Sequence, residues 1–156
     1  MVIMGIDPGT AITGYGVIDK QSNELITLDY GCIRTEARFS TAERLGQIDR
    51  QLVKLIKKYK PDQIAVEDIF FFKNLKTVIK VSQARGVVLA RAARLKTPVF
   101  EYTPLQVKQA VTSYGRAEKK QVQEMVKLLL NLKEIPEPDD AADALAVAIC
   151  CAHSLR

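Results

Sequence analysis

The sequence predicts an α/β fold in which a five-stranded mixed sheet carries helices on both faces. Three apolar, strand-like segments come first and are separated only by short turns, a pattern typical of an antiparallel meander. Two further strand-like segments follow, each preceded by a stretch with apolar residues at helical spacing. Strands that alternate with helices pair in parallel and place those helices against the sheet. Together the two patterns predict a mixed sheet.

The boundaries of these elements follow from their apolar patterns and from turn residues. Strands are predicted over Val2–Asp7, Ile12–Asp19, Leu25–Arg34, Gln63–Val66 and Val99–Tyr102. Helices are predicted from a cap at Ser40 or Thr41 to just before Pro61, from about Lys73 to Leu95, and over about Pro104–Thr112, Ala117–Leu132 and Asp139–Ala152. This order is typical of the ribonuclease H-like architecture. Because no repeat or obvious linker interrupts it, residues 1–156 are predicted to form one domain.

Composition and charge favour a polyanionic ligand over a membrane. Lysine and arginine outnumber aspartate and glutamate by 23 to 18, which gives a net charge of +5. A basic surface attracts polyanions such as DNA. No apolar run approaches the roughly 20 residues that cross a bilayer. The N-terminus also lacks the features of a secretory signal, so we expect a cytoplasmic protein.

The cysteines agree with a reducing compartment. There are three of them, Cys32, Cys150 and Cys151, and two are adjacent in sequence. An odd number with this spacing makes a poor disulfide framework and matches no zinc-binding pattern. We predict three buried thiols that behave as small apolar residues.

A carboxylate stands at the end of the first predicted strand. Asp7 follows an apolar segment and directly precedes the Pro8-Gly9 turn. Burying a carboxylate is costly unless it is hydrogen-bonded, paired or bound to a metal. An aspartate at this position also commonly caps a turn through the backbone N–H groups of residues such as Gly9 and Thr10. Taken alone, Asp7 favours the capping interpretation.

Two more acids, Glu67 and Asp68, end the fourth predicted strand. Successive side chains of a strand point to opposite faces of the sheet. At most one of this pair can therefore share a site with Asp7. The alternation of side chains does not identify which one.

Three aspartates open the last predicted helix. Asp139 and Asp140 lie in its first turn, and either of them shares a helix face with Asp143. Acids in a first turn also interact favourably with the helix dipole, so capping is the alternative role. That alternative is weaker for Asp143, because its neighbours Ala142 and Ala144 are apolar.

Strand-end acids and a helical acid pair that converge on one site would repel one another without cations. Hard cations such as Mg²⁺ and Mn²⁺ prefer oxygen ligands, and the chain offers no histidine or cysteine cluster for zinc. Two such ions, about 4 Å apart, hold a scissile phosphate between an attacking water and the leaving oxygen. The pattern therefore predicts metal-dependent phosphodiester hydrolysis.

A series of motifs resembles the RuvC-type Holliday-junction resolvases in sequence order. The motifs are Gly5–Thr10, Thr13–Gly16, Gly31–Thr35, Glu67–Phe70, Lys73–Asn74, Gln83–Gly86, Val99–Tyr102, Gln106–Gln109, Ala117–Lys119 and Asp140–Ala144. An isolated Asp-x-Gly-Thr motif is a weak signal. An ordered series that extends from the first strand to the last helix is highly specific.

The resemblance implies a homodimeric endonuclease with a ribonuclease H-like fold. Such enzymes cut four-way DNA junctions by paired symmetric nicks that leave 5′-phosphate and 3′-hydroxyl ends. Carried over by position, the resemblance implies that Asp7, Glu67, Asp140 and Asp143 hold two Mg²⁺ ions, with Mn²⁺ as a substitute. It leaves Asp139 without an assigned role. It also implies a partnership with the RuvA–RuvB branch-migration complex in recombination and repair.

The resemblance further implies a set of DNA contacts. They are Phe70, Lys73, Asn74, Arg85, Lys108, Lys119 and Lys120. Lys108 and Lys119 match basic residues beside the cleaved backbone, where an ammonium offsets charge on the phosphate. Without the resemblance, Lys119 would be interpreted as a solvated residue of a basic first turn. Phe70 matches an aromatic that stacks on bases, whereas Phe71 and Phe72 remain open between a DNA contact and a dimer contact.

The long helix from Lys73 carries small residues, among them Ala84, Gly86 and Ala90. Most of its apolar residues are expected in the core. Small residues also permit close approach of a second helix, and the family that the sequence resembles dimerises partly through this element. A twofold dimer would mirror the symmetry of a four-way junction.

Three other functions share part of this pattern. ATP-binding domains of the actin and Hsp70 type use a similar Asp-x-Gly-Thr hairpin, but they need a longer chain and a second such hairpin. A related nuclease acting on structured RNA would share the acids without preferring four-way DNA. A catalytically silent DNA-binding module would not need the intact acid set.

Overall fold

The computed structural model describes residues 1–22, 24–69 and 75–154. Its strands are β1 (Val2–Asp7), β2 (Ile12–Gln21), β3 (Glu24–Arg34), β4 (Gln63–Glu67) and β5 (Val99–Tyr102). Its helices are α1 (Thr41–Tyr59), α2 (Leu75–Arg94), α3 (Pro104–Thr112), α4 (Lys119–Leu129) and α5 (Asp139–Ser154). The predicted start of the long helix, at Lys73, lies outside the described residues. Across the described ranges, none of the helices is both long enough and apolar enough to span a membrane.

The five strands form one mixed sheet in the order β3-β2-β1-β4-β5. The first three strands pair as an antiparallel meander, and β1, β4 and β5 pair in parallel. This arrangement confirms the predicted sheet. Since β1 is the central strand, its carboxyl end lies between the ends of two neighbours.

The sheet separates two apolar cores, one on each face. Alternate residues of β1 divide between them, because successive side chains of a strand point to opposite faces. Ile3 packs with α3, α4 and α5, whereas Met4 and Ile6 pack with α1 and α2. The predicted placement of helices on both faces is confirmed.

Helix α5 lies unusually close to β1 and β2, because glycines replace side chains on the face that it covers. A Cβ atom at Gly5 would overlap the carbonyl oxygen of Ala144 and lie 2.7 Å from the backbone nitrogen of Ala148. A Cβ atom at Gly14 would overlap the carbonyl oxygen of Asp140. Glycine inside a strand commonly marks a close approach of this kind. The first turn of α5 therefore lies directly against the sheet.

Helix α4 is shorter at both ends than its apolar pattern predicts. Glu118 precedes the helix, and its backbone N–H donates to the side chain of Gln121 at 2.8 Å, as in a capping box. At the other end Asn131 has a φ of 49°, in the left-handed region that ends a helix. These local caps place Lys119 at the first position of α4.

Candidate active site

Asp7 and Glu67 lie on the same face of the sheet, at the carboxyl ends of adjacent parallel strands. In the pairing of β1 with β4, Ile6 is opposite Val66, so the two acids follow in register. Asp7 shares the side of Ile3, and Glu67 shares the side of Ala65, and both of those residues pack in the core beneath α5. Side-chain alternation therefore turns Glu67, and not Asp68, towards Asp7.

Helix α5 brings Asp140 and Asp143 to the same place. Its backbone at Asp140 contacts Gly14, and Gly14 is the partner of Asp7 in the pairing of β1 with β2. Asp143 lines a cavity of about 240 Å³ together with Glu67. We name Asp7, Glu67, Asp140 and Asp143 the acid cluster.

The acids of the cluster affect one another strongly. Burial, followed by repulsion from Glu67, Asp143 and Asp140, raises the pKa of Asp7 to about 8. Burial and repulsion from Asp143 raise the pKa of Glu67 to about 7. Burial also raises the pKa of Asp143, against the opposing effect of the Lys119 ammonium. Concentrated negative charge of this kind is characteristic of functional sites.

The turn after Asp7 does not depend on its carboxylate. The hydroxyl of Thr13 donates to the carbonyl of Gly9 at 2.7 Å and accepts from the Gly9 N–H at 3.4 Å. The hydroxyl of Thr35 donates to the carbonyl of Thr10 at 2.6 Å. Within the described ranges, Asp7 itself accepts no hydrogen bond from this turn. Its position therefore favours a site residue over the capping role.

Two lysines border the acid cluster. Lys108 of α3 and Lys119 of α4 line the same cavity as Glu67 and Asp143. The Nζ atom of Lys119 is 3.1 Å from Oδ2 of Asp143 and 3.1 Å from Oδ2 of Asp139. The contacts with the two carboxylates outweigh partial burial and raise the pKa of Lys119. Both predicted lysines therefore lie beside the acids.

Asp139 stands outside the cluster. Its side chain is 65% exposed, against 31% for Asp143. Besides its ion pair with Lys119, its Oδ1 atom accepts a hydrogen bond from Gln123 at 2.9 Å. These two contacts hold the pKa of Asp139 below its usual range. Asp139 thus joins the starts of α4 and α5, a role that spacing alone did not indicate.

The donor chemistry of the cluster fits a hard cation. Within the part of the chain that is described, no three acid, histidine or cysteine side chains already stand close enough to enclose an ion. The cluster nevertheless combines four carboxylates that repel one another, and bound cations would relieve that repulsion. Burial and the nearby Asp140 raise the pKa of the Cys32 thiol to about 11, so it stays protonated. His153 is exposed, and its Nδ1 lies 3.1 Å from the carbonyl oxygen of Ala110, in α3.

The remaining predicted DNA contacts have different surroundings. Arg85 forms ion pairs with Glu101 and, at 3.1 Å, with Asp68, so its charge is balanced inside the protein on the α2 side of the sheet. Lys120 is exposed in the first turn of α4. Phe70, Lys73 and Asn74 lie outside the described residues, as do Phe71 and Phe72.

The thiol prediction is correct for two of the three cysteines. Cys150 and Cys151 are buried in α5, and all three cysteines are free. Cys32 is only half-buried, and the prediction of a fully buried thiol is wrong at this position. It lies on β3 opposite Gly14.

The raised pKa values predict how the stability of the metal-free protein changes with pH. The carboxyls of Asp7 and Glu67 titrate at about 8 and about 7 when folded, against ordinary values of 3.8 and 4.5. At pH values between the ordinary and the raised pKa, the folded state therefore binds more protons than the unfolded state. The free energy of unfolding falls as the pH rises through this range. In EDTA, we expect the Tm to be at least about 3 °C higher at about pH 5.5 than at about pH 8.5.

The Asp7→Asn variant is the control for this prediction. Its Tm should change less over the same range, because one of the two titrating groups is gone. An undiminished pH dependence in the variant would show that other groups cause it.

A family model described as Crossover junction endodeoxyribonuclease RuvC matches residues 3–151. The chain belongs to the RuvC family. The resemblance to RuvC-type resolvases that the motifs indicated is therefore confirmed. The predicted class of activity, that of an endodeoxyribonuclease, is confirmed as well. RuvC nucleases depend on a metal ion, which agrees with the oxygen-rich acid cluster.

Individual RuvC proteins match this chain over almost its whole length. The RuvC of Heliobacterium modesticaldum is 61% identical over 155 residues, which cover 99% of this chain and 96% of that protein. The RuvC of Halothermothrix orenii is 56% identical over 156 residues, covering 100% and 94%. A solved structure, "T. thermophilus RuvC in complex with Holliday junction substrate", superposes with a TM-score of 0.94 at 38% identity and covers 100% of this chain and 95% of that one.

Proposed function

We propose that this chain resolves four-way DNA junctions by paired symmetric nicks, with residues 1–156 acting as one nuclease domain. The observation that carries the proposal is the convergence of Asp7, Glu67 and the α5 aspartates beside Lys108 and Lys119. The similarity to a RuvC bound to a Holliday junction supports the choice of substrate. A basic chain with one concentrated acidic site suits a polyanion cut at one point.

We assign the four acids of the cluster to the binding of two Mg²⁺ ions, with Mn²⁺ as a substitute. When bound there, such ions supply Lewis-acid stabilisation of a phosphate and activation of water. Two of the acids lie at strand ends and two lie on a helix packed against the sheet. Regular elements of this kind hold side chains in the defined geometry that the reaction needs. The products are expected to carry 5′-phosphate and 3′-hydroxyl ends that ligase can reseal.

Lys108 and Lys119 have a separate task in this proposal. Their ammonium groups border the cavity that holds Glu67 and Asp143. A cation at that border attracts the scissile phosphate and offsets the charge that develops on it. Lys119 already contacts the Asp143 carboxylate, so it lies within reach of a phosphate bound there. Lys120 and Arg85 remain weaker candidates for DNA contact.

One exposed face of α2 is suited to pack against a second copy of the chain, as a homodimer that cuts both strands requires. Ile79 is 57% exposed, Ala90 and Ala93 are exposed on the same side, and a Cβ atom added at Gly86 would meet nothing within 4 Å. A twofold dimer packed through this face would present two acid clusters to a symmetric junction. We further propose action in the cytoplasm, together with the RuvA–RuvB branch-migration complex.

The decisive experiment incubates the protein with a mobile synthetic four-way junction, with and without Mg²⁺, and maps the nicks on each strand. We expect metal-dependent nicks at symmetric positions in two strands of the same polarity, and products that ligase reseals. A linear duplex of the same sequence and an RNA hairpin are the matched substrates. Equal cutting of the linear duplex or preferential cutting of the RNA would contradict the proposal.

A further inference from the structure

A second cavity adjoins the acid cluster from the opposite face of the sheet. The cavity that contains Lys108 and Lys119 is bordered by α3 and α4. The second one, of about 320 Å³, is bordered by α1, α2 and the turn between β1 and β2. Asp140 of the acid cluster forms part of its wall, together with Arg44 and Lys80. The acids are therefore flanked by cations on both sides.

Arg44 is fixed in position but keeps most of its donors available. Its Nε atom donates to the hydroxyl of Thr35 at 2.8 Å, and that hydroxyl donates to the carbonyl of Thr10 at 2.6 Å. This chain of bonds ties the guanidinium to the turn that follows Asp7. Among the described residues, no carboxylate forms an ion pair with Arg44. Arg44 also lines the cavity, so its guanidinium borders the space that a ligand would occupy.

Lys80 is placed by its backbone. The buried hydroxyl of Thr10 donates to the carbonyl oxygen of Lys80 at 2.6 Å, which fixes this turn of α2 against the same β1–β2 turn. The Lys80 side chain is exposed, and no acid within the described ranges pairs with it. Arg85, five residues further along α2, differs because Asp68 and Glu101 neutralise it.

We propose that Arg44 and Lys80 bind backbone phosphates of the DNA on the α1–α2 side of the acid cluster. The inference rests on the proposed function, since it assumes a DNA strand across Asp140. That strand must pass four carboxylates, which repel its phosphates, so cations are needed before and after the cut site. Lys108 and Lys119 supply them on one side, and Arg44 and Lys80 supply them on the other.

The test compares an Arg44→Gln/Lys80→Gln variant with the unaltered protein in binding to a four-way junction in EDTA over a series of salt concentrations. Loss of two phosphate contacts should reduce the slope of log K against log salt by about 2 and the affinity at low salt by about 10-fold. The matched control is Arg50→Gln/Lys57→Gln, which removes two exposed charges elsewhere on α1. We expect this control to lower the slope by less than half as much.

An Arg44→Lys variant separates charge from structure. It keeps the positive charge but loses the guanidinium that is bonded to Thr35. If Arg44 contacts a phosphate, the lysine variant should restore affinity to within about threefold. Two results would overturn the proposal. One is an unchanged slope of log K against log salt in Arg44→Gln/Lys80→Gln. The other is an equal loss of junction affinity in Arg44→Gln and Arg44→Lys. Failure of the unaltered protein to cut the junction in Mg²⁺ would instead contradict the proposed function.

Discussion

The Asp7→Asn variant should bind a four-way junction with unchanged affinity and cleave it at least about 100-fold more slowly than the unaltered protein. Asn is isosteric with Asp, so the packing at the end of β1 is kept. The lost negative charge removes one acid from the site assigned to the metal ions. The basic residues proposed to contact DNA are untouched, so binding and cleavage should separate. Single-turnover cleavage in Mg²⁺ and junction binding in EDTA measure the two effects.

The same variant should be more stable than the unaltered protein when no metal is present. The pKa of about 8 shows that the folded protein disfavours a charged Asp7, first because of burial and then because of Glu67, Asp143 and Asp140. At neutral pH the folded protein must keep this carboxyl protonated although the unfolded chain ionises it, and an asparagine removes that cost. A higher Tm in EDTA together with a smaller rise in Tm on addition of Mg²⁺ is therefore expected.

Asp62→Asn is the matched control for Asp7→Asn. Asp62 directly precedes β4, at the edge of the sheet opposite to the acid cluster. Its carboxylate accepts a hydrogen bond from the Val2 N–H at 2.7 Å. Asparagine can accept the same bond, so cleavage and the response to Mg²⁺ should be retained. Cleavage by Asp7→Asn at the rate of the unaltered protein would remove Asp7 from the mechanism. A large fall in the Tm of that variant would indicate a structural role instead.

The sequence predicts the elements of this fold well because each carries its own local pattern. Apolar alternation or helical spacing, together with turn residues, locates every strand and helix of the described chain to within a few residues. The errors at α4 have local causes that the apolar pattern does not record. Glu118 caps the helix before Lys119, and Asn131 leaves the helical region before Leu132.

The choice between neighbouring acids depends on relations that no local pattern contains. Glu67 and Asp68 differ only in the face of the sheet that they occupy, and that face matters only relative to Asp7. The parallel pairing of β1 with β4 decides it. Asp139 and Asp140 are distinguished by the docking of α5, which presses Asp140 against Gly14 and leaves Asp139 exposed beside Lys119.

The charged residues show a similar limit. A motif resemblance nominated Arg85 for DNA contact, yet two acids from separate strand ends neutralise it. Arg44 belongs to none of the motifs, although it faces a cavity next to Asp140 without an acidic partner in the described chain. Whether a surface cation is available to a ligand depends on which acids the fold brings to it. Sequence spacing does not contain that information.

A methyl group at Gly14 should damage both stability and catalysis. The Cβ atom of an alanine there would lie 2.5 Å from the carbonyl carbon of Asp140 and closer still to its oxygen. These are backbone atoms of α5, so no side-chain rotation relieves the overlap, and the first turn of the helix must move away from the sheet. We expect Gly14→Ala to lower the free energy of unfolding by about 1–3 kcal/mol, or the Tm by roughly 3–10 °C.

The displacement in Gly14→Ala acts directly on the acid cluster, because Asp140 itself is the residue that the methyl group pushes. Cleavage should therefore fall at least about 10-fold even at temperatures where the variant is fully folded, and the rise in Tm caused by Mg²⁺ should shrink.

Gly46→Ala is the matched control, since its Cβ atom would meet only the end of the flexible Arg50 side chain, at 3.4 Å. In the middle of α1 that change should be neutral or stabilising by about 0.5–1 kcal/mol. If Gly14→Ala lost stability but kept full cleavage and its full response to Mg²⁺, the position of Asp140 against β2 would not matter to the reaction. The metal ions would then have to be held by the other three acids.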